Sequence, residues 1–111
     1  MATILLVDDD ENFTQTMQEL IVLLGHSITI ADSVETANHY LRTATVDVLL
    51  LDIMLPDGNG FDVIEQLQPH SRPRHIAFIT GQSAISSLIK SVAGPDISYL
   101  LKPIDLNTLK R

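Results

Sequence analysis

Carboxylates crowd into two places in this sequence. Asp8, Asp9, Asp10 and Glu11 run together near its start, and Asp52 stands directly after the apolar run Val48-Leu49-Leu50-Leu51. Two other polar groups follow apolar runs in the same way: Thr80 after Ile76-Ala77-Phe78-Ile79, and Lys102 after Leu100-Leu101. Carboxylates brought close together repel and resist ionising unless a cation joins them. Lys102 supplies one positive charge, which is too little for three acids. A hard divalent cation held by oxygen completes the balance, and Mg²⁺ suits a site with a few carboxylates and a phosphoryl group. A carboxylate beside such an ion can attack a phosphoryl donor and form an acyl phosphate. The metal, the Lys102 ammonium and the Thr80 hydroxyl then meet the charge on the phosphoryl oxygens, so the catalysis is chiefly positioning and electrostatics.

Each of these residues alone has an ordinary explanation. An acid after a strand is often a helix N-cap, and Asp10 is read as one. Asp52 could open a turn with Pro56. Thr80 suits a strand by propensity, and Lys102 suits an edge strand as a guard against aggregation. What matters is whether the chain brings them together.

Three short aliphatic runs, Ile4–Val7, Val46–Leu51 and Ile76–Ile79, read as strands buried on both faces. Ile28 and Ile30, and Ile97, Tyr99 and Leu101, alternate with other residues and read as edge strands. Helical spacing joins Phe13, Met17, Leu20, Ile21 and Leu24, with Gly25 placed to stop that helix. Ser33 is the expected N-cap of a second helix carrying Val34, Ala37, Leu41 and Ala44 on one face. A third helix follows Gly60 with Phe61, Ile64 and Leu67, and Pro69 near its end. A fourth carries Ile85, Leu88, Ile89 and Val92 and stops at Gly94-Pro95. A fifth begins after Asp105 with Leu106 and Leu109, and is short for a packing helix. Five β-α units predict an α/β fold: a flavodoxin-like, doubly wound, five-stranded parallel sheet in the order 2-1-3-4-5, with helices on both faces. Working sites in such sheets lie beyond the carboxyl ends of the strands, where the strand order reverses. Asp8 to Glu11, Asp52, Thr80 and Lys102 all fall at those ends.

The bulk numbers narrow the function. The 111 residues suffice for one domain, residues 1–111, and 45% of them are apolar. Acids outnumber bases 14 to 7, for a formal charge of −7, so direct nucleic-acid binding by this domain is not expected. No apolar run approaches the roughly 18–20 residues of a membrane span. The start lacks a basic leader, and there is no cysteine, so a cytoplasmic location is expected. The four histidines show no ligand spacing.

The motifs resemble the receiver domains of two-component response regulators, the CheY-like family, over nearly the whole chain. Val7-Asp8-Asp9-Asp10 resembles the family's first acidic motif, and Leu50 to Gly60 its phosphoacceptor segment. Phe78-Ile79-Thr80-Gly81 is similar to its switch-hydroxyl motif, and Tyr99-Leu100-Leu101-Lys102-Pro103 to its lysine-proline motif. The resemblance implies that Asp52 is phosphorylated and that Asp8, Asp9, Asp52 and the backbone carbonyl of Met54 hold Mg²⁺. It implies that Lys102 pairs with a phosphoryl oxygen, that Thr80 and Tyr99 switch together, and that Met54 and Gln82 tune hydrolysis of the acyl phosphate. The implied partners are a sensor histidine kinase and an effector domain, commonly transcriptional, beyond the short last helix. A phosphorylation-dependent homodimer through the fourth helix, fifth strand and fifth helix is a further expectation. Such a chain is a signalling switch whose only catalysis is its own phosphorylation and dephosphorylation. Ile104 departs from the frequent aromatic residue, and Ala93 to Asp96 from the commoner Gly-Ala ending before strand five.

The alternative from another class is a small aspartyl phosphatase of the haloacid dehalogenase type, suggested by the Asp-x-Asp after strand one. That family needs an acidic pair beyond the lysine, and none follows Lys102. A flavin-binding flavodoxin would place a phosphate where Asp8 to Glu11 repel it.

Overall fold

A computed structural model describes residues 2–69, 72–80 and 97–101. The elements, in order, are β1 (Thr3–Val7), α1 (Glu11–Leu23), β2 (Ser27–Ala31), α2 (Val34–Thr43) and β3 (Val48–Asp52). Then follow β4 (Met54–Leu55), β5 (Gly58–Asn59), α3 (Gly60–Glu65), β6 (His75–Thr80) and β7 (Ile97–Leu101). The sheet runs β2-β1-β3-β6-β7, every pair parallel. This is the expected 2-1-3-4-5 order. Among the described residues, the one addition is the β4–β5 ladder, which stands apart from the sheet. The fourth and fifth helices fall outside the described residues.

Strand alternation divides the core. Leu5, Val7, Leu49, Leu51, Ile76 and Phe78 pack with Val34, Ala37, Leu41 and Val63 from α2 and α3. Ile4, Leu6, Leu50, Ala77 and Ile79 pack with Met17 and Ile21 of α1 on the other face. Both faces are covered, so β1 and β3 read as continuous aliphatic runs.

Local sequence accounts for the boundaries. Asp10 caps α1, accepting from the N–H groups of Asn12 at 3.1 Å and Phe13 at 3.2 Å. At the other end Gly25 adopts φ 87°. Its N–H reaches the Val22 carbonyl at 3.0 Å, and the His26 N–H reaches Ile21 at 3.1 Å. This pair of bonds is the glycine-dependent Schellman ending. Ser33 caps α2 through the Thr36 N–H.

Three boundaries differ from expectation. α2 ends at Thr43, and Ala44, expected on its apolar face, is an extended C-cap. β3 begins at Val48 rather than Val46, because Asp47 bonds across the end of β1: it donates to the Thr3 carbonyl at 2.8 Å and accepts from the Thr3 N–H at 2.9 Å. α3 ends at Glu65, well before Pro69. Its last N–H groups make tight i→i−3 bonds, from Gln66 to Val63 and from Leu67 to Ile64, and Pro69 disfavours helical geometry at Gln68.

Candidate functional site

The register of the sheet builds the site. Val7 of β1 lies opposite Leu51 of β3, so the next residues, Asp8 and Asp52, emerge side by side on neighbouring strands about 4.8 Å apart. Both follow the alternation that points Ile4, Leu6 and Leu50 to the α1 face. Asp9 is next in the chain. Carboxylate oxygens of Asp8, Asp9 and Asp52 lie within 4.8 Å of one another.

The three differ in surroundings. Asp8 is 1% exposed, Asp52 half-buried and Asp9 exposed. The Asp8 backbone N–H continues the ladder to the Ala31 carbonyl at 3.0 Å. Its Oδ1 accepts from the Asp10 N–H at 2.9 Å, an Asx turn that bends the chain into α1. The Asp52 Oδ1 accepts from the Ile53 N–H at 2.8 Å. Each of these two carboxylates is therefore oriented by one local backbone donor. The acid run thus divides its labour: Asp8 and Asp9 converge on Asp52, Asp10 caps a helix, and Glu11 favours the positive end of α1.

Ionised carboxylates at such spacing repel by roughly 3 kcal/mol per pair at the effective dielectric of a protein surface. An all-oxygen trio of this kind, with one member buried, fits a hard divalent cation such as Mg²⁺. The donor set contains no sulfur or imidazole, so softer metals have no advantage.

The loop after Asp52 is built to approach closely. Gly60 donates its N–H to the Ile53 carbonyl at 3.0 Å. A Cβ on Gly60 would stand 2.6 Å from the Asp52 carbonyl oxygen and 2.6 Å from the Phe78 ring. Only glycine lets α3 start against the end of β3. Phe61 packs against Phe78 with ring centroids 4.7 Å apart and the rings tilted by 40°. Between Ile53 and Gly60, Met54-Leu55 pairs with Gly58-Asn59 around Pro56-Asp57. Asn59 and Asp62 then close a reciprocal capping box on α3. The Met54 side chain is 73% exposed.

Of the other expected site residues, Thr80 ends β6 and Tyr99 lies in β7, with Phe78 opposite Tyr99 and Thr80 opposite Leu101. Lys102 and Gln82 lie outside the described residues.

Sequence reasoning missed two contributions. An open cleft of about 440 Å³ lined by Asp8 and Asp9 is also lined by Glu11, Asp32, Thr36 and Pro56. Asp57, which stands in the motif with no role of its own, reaches α2: its carboxylate accepts from the Val34 N–H at 2.8 Å and the Glu35 N–H at 3.1 Å. Those two bonds, Val34 first, hold its carboxyl below the ordinary aspartate range. Nothing in the sequence spacing signals a contact spanning 23 residues.

Comparisons with known proteins agree with this geometry. The sequence model of the response regulator receiver domain matches residues 4–111. The photosynthetic apparatus regulatory protein RegA of Cereibacter sphaeroides is 32% identical over 105 residues, which are 95% of this chain and 57% of RegA. The chain spans between 22% and 58% of the length of the curated relatives it matches. Among solved structures, the receiver domain of HemR from Leptospira biflexa is 30% identical, with a TM-score of 0.80 over 99% of this chain and 89% of that one. The receiver domain of a sensor histidine kinase from Pseudomonas aeruginosa, described with a magnesium ion in its active-site cleft, shares the fold at a TM-score of 0.87 and 22% identity, covering 99% of this chain and 92% of that one. The sheet order, the strand-end acids and the match across residues 4–111 lead to one assignment: the chain belongs to the response regulator receiver domain family.

Proposed function

We propose that Asp52 is the phosphoacceptor of this receiver domain, and that Asp8, Asp9 and Asp52, with the backbone carbonyl of Met54, hold Mg²⁺. The observation that carries this reading is the convergence of three carboxylates from two adjacent strand ends within 4.8 Å. In it, an Asp52 carboxylate oxygen attacks phosphorus and forms an acyl phosphate, while the bond to the donor's leaving group breaks. The Ile53 N–H, 2.8 Å from the Asp52 Oδ1, orients the nucleophile. Bound Mg²⁺ would supply the positive charge that the phosphoryl oxygens need. Lys102 and Thr80 act as further donors, Thr80 and Tyr99 switch in response, and Met54 and Gln82 tune hydrolysis. These roles rest on the family motifs.

The phosphoryl donor in this reading is a sensor histidine kinase. The signal passes to an effector domain, for which the transcriptional regulators among the relatives are the guide. A phosphorylation-dependent dimer through the region around β7 belongs to the same reading. Among the described residues, no helix is long and apolar enough to cross a membrane.

Incubation with Mg²⁺ and acetyl phosphate is expected to add one phosphoryl mass to the intact protein. Asp52→Asn is expected to abolish the addition, and modification that persists in this variant overturns the assignment. Turnover of generic phosphomonoesters would favour a phosphatase instead.

A further inference from the structure

We propose that Asp57 is a positioning residue for the acid site, anchoring the loop that follows Asp52 and carries Met54 to the amino end of α2. The inference rests on the reading of Asp52 and Mg²⁺ given above.

Both oxygens of the Asp57 carboxylate are engaged, one by the Val34 N–H at 2.8 Å and the other by the Glu35 N–H at 3.1 Å. The first turn of any helix leaves backbone N–H groups without intrahelical partners. In α2 the cap Ser33 accepts from the backbone N–H of Thr36, at 3.1 Å. Asp57 takes the two donors before it. A negative charge at this end of a helix also gains from the helix dipole.

The loop needs such an anchor. Its base is fixed by the bond from the Gly60 N–H to the Ile53 carbonyl at 3.0 Å. Its tip is a ladder of only two residues per strand, and a short isolated hairpin is marginal in water. Met54, on that ladder, packs little of its side chain, being 73% exposed. The bonds from Asp57 therefore limit rotation of the hairpin about its base, and with it the position of the Met54 backbone beside Asp52. They also join two elements that line the cleft, because Pro56 precedes Asp57 while Asp32 and Thr36 flank the start of α2. Asp57 itself is exposed, so its loss leaves the core intact.

Three variants separate positioning from helix stability: Asp57→Ala, Asp57→Asn and Ser33→Ala. The last removes the other cap of the same helix without touching the loop. Amide exchange at residues 53–60 is read without metal, and Mg²⁺ affinity is read by calorimetry. Asp57→Ala is expected to speed exchange in the loop and to weaken Mg²⁺ binding by about tenfold, the low end of the cost of losing a group that orients metal ligands. Asp57→Asn keeps one oxygen acceptor and is expected to recover part of both. Ser33→Ala is expected to leave both at wild-type values. Wild-type exchange and affinity in Asp57→Ala overturn the proposal, as does an equal change in Ser33→Ala. Wild-type protein that neither binds Mg²⁺ nor accepts a phosphoryl group overturns the reading of Asp52 and the positioning role with it. The metal-free exchange then still reports whether the anchor exists.

Discussion

At the amino end of the sheet, polar side chains close the structure onto itself. Asp47 accepts from the Thr3 N–H at 2.9 Å, and the His26 Nδ1 accepts from the Ala2 N–H at 2.9 Å. Among the described residues, neither belongs to a group of three or more possible metal ligands. At the carboxyl end the same local bonds exist, since Asp8 and Asp52 each accept a backbone N–H, yet their carboxylates also converge with Asp9 within 4.8 Å. Local hydrogen bonding therefore does not separate the aspartates of the two ends. Convergence of like charges does, because it costs stability that folding alone gives no reason to spend.

Asp8→Asn puts that contrast under the most strain. The amide keeps an acceptor for the Asp10 N–H but removes a charge from the trio. We expect Mg²⁺ affinity to fall about a hundredfold, which is about 2.7 kcal/mol. The metal-free thermal midpoint should rise, because repulsion is relieved. Asp47→Ala should do the reverse, leaving Mg²⁺ affinity unchanged and lowering stability by about 1 kcal/mol for the lost bond to Thr3. Calorimetric titration and thermal melting read both quantities. A midpoint that falls in Asp8→Asn with Mg²⁺ affinity intact would make Asp8 a structural residue like Asp47.

Glycines sharpen the same comparison. Gly60 lies at the carboxyl end with no room for a Cβ, 2.6 Å from the Asp52 carbonyl oxygen and from Phe78. Gly25 lies at the amino end in open space, and only its φ of 87° favours glycine. Gly60→Ala is expected to cost about 2–3 kcal/mol by overpacking, against about 1 kcal/mol for Gly25→Ala. Urea unfolding measures both. Equal losses would mean that the junction of β3 and α3 yields more easily than its packing implies.

Much of this was legible in the residues. Continuous aliphatic runs marked β1, β3 and β6 because a two-sided sheet demands them, and the strand order followed from alternating elements. The meeting of Asp8 and Asp52 was legible because parallel register carries one strand end beside the next. The caps Asp10 and Ser33 were legible because capping acts over two or three residues. The bond from Asp57 to α2 was not, since its partners are backbone N–H groups, which carry no residue identity. The start of β3 was misjudged for a similar reason: Val46 is buried like a strand residue, but the bonds of Asp47 to Thr3 decide where the ladder begins.

The smallest expected effect is one of pH, and it tests whether Asp57 acts as a charge. Bonds from Val34 and Glu35 hold its carboxyl below the ordinary value of 3.8. A group whose pKa is lowered by folding contributes stability that is present above its unfolded value and lost as pH falls through its folded value. The difference in stability between wild type and Asp57→Asn should therefore be constant at neutral pH. It should begin to shrink as pH falls past 3.8 and vanish below the lowered pKa. The comparison cancels the titration of the other acids, which both proteins share. Asp57 is exposed, so solvent screens the effect and added salt should reduce it further. Urea unfolding of both proteins at a series of pH values between neutral and strongly acidic reads the difference directly. A difference that stays constant through that range would show that the carboxylate acts on α2 only as a neutral acceptor, and that Asn serves in its place.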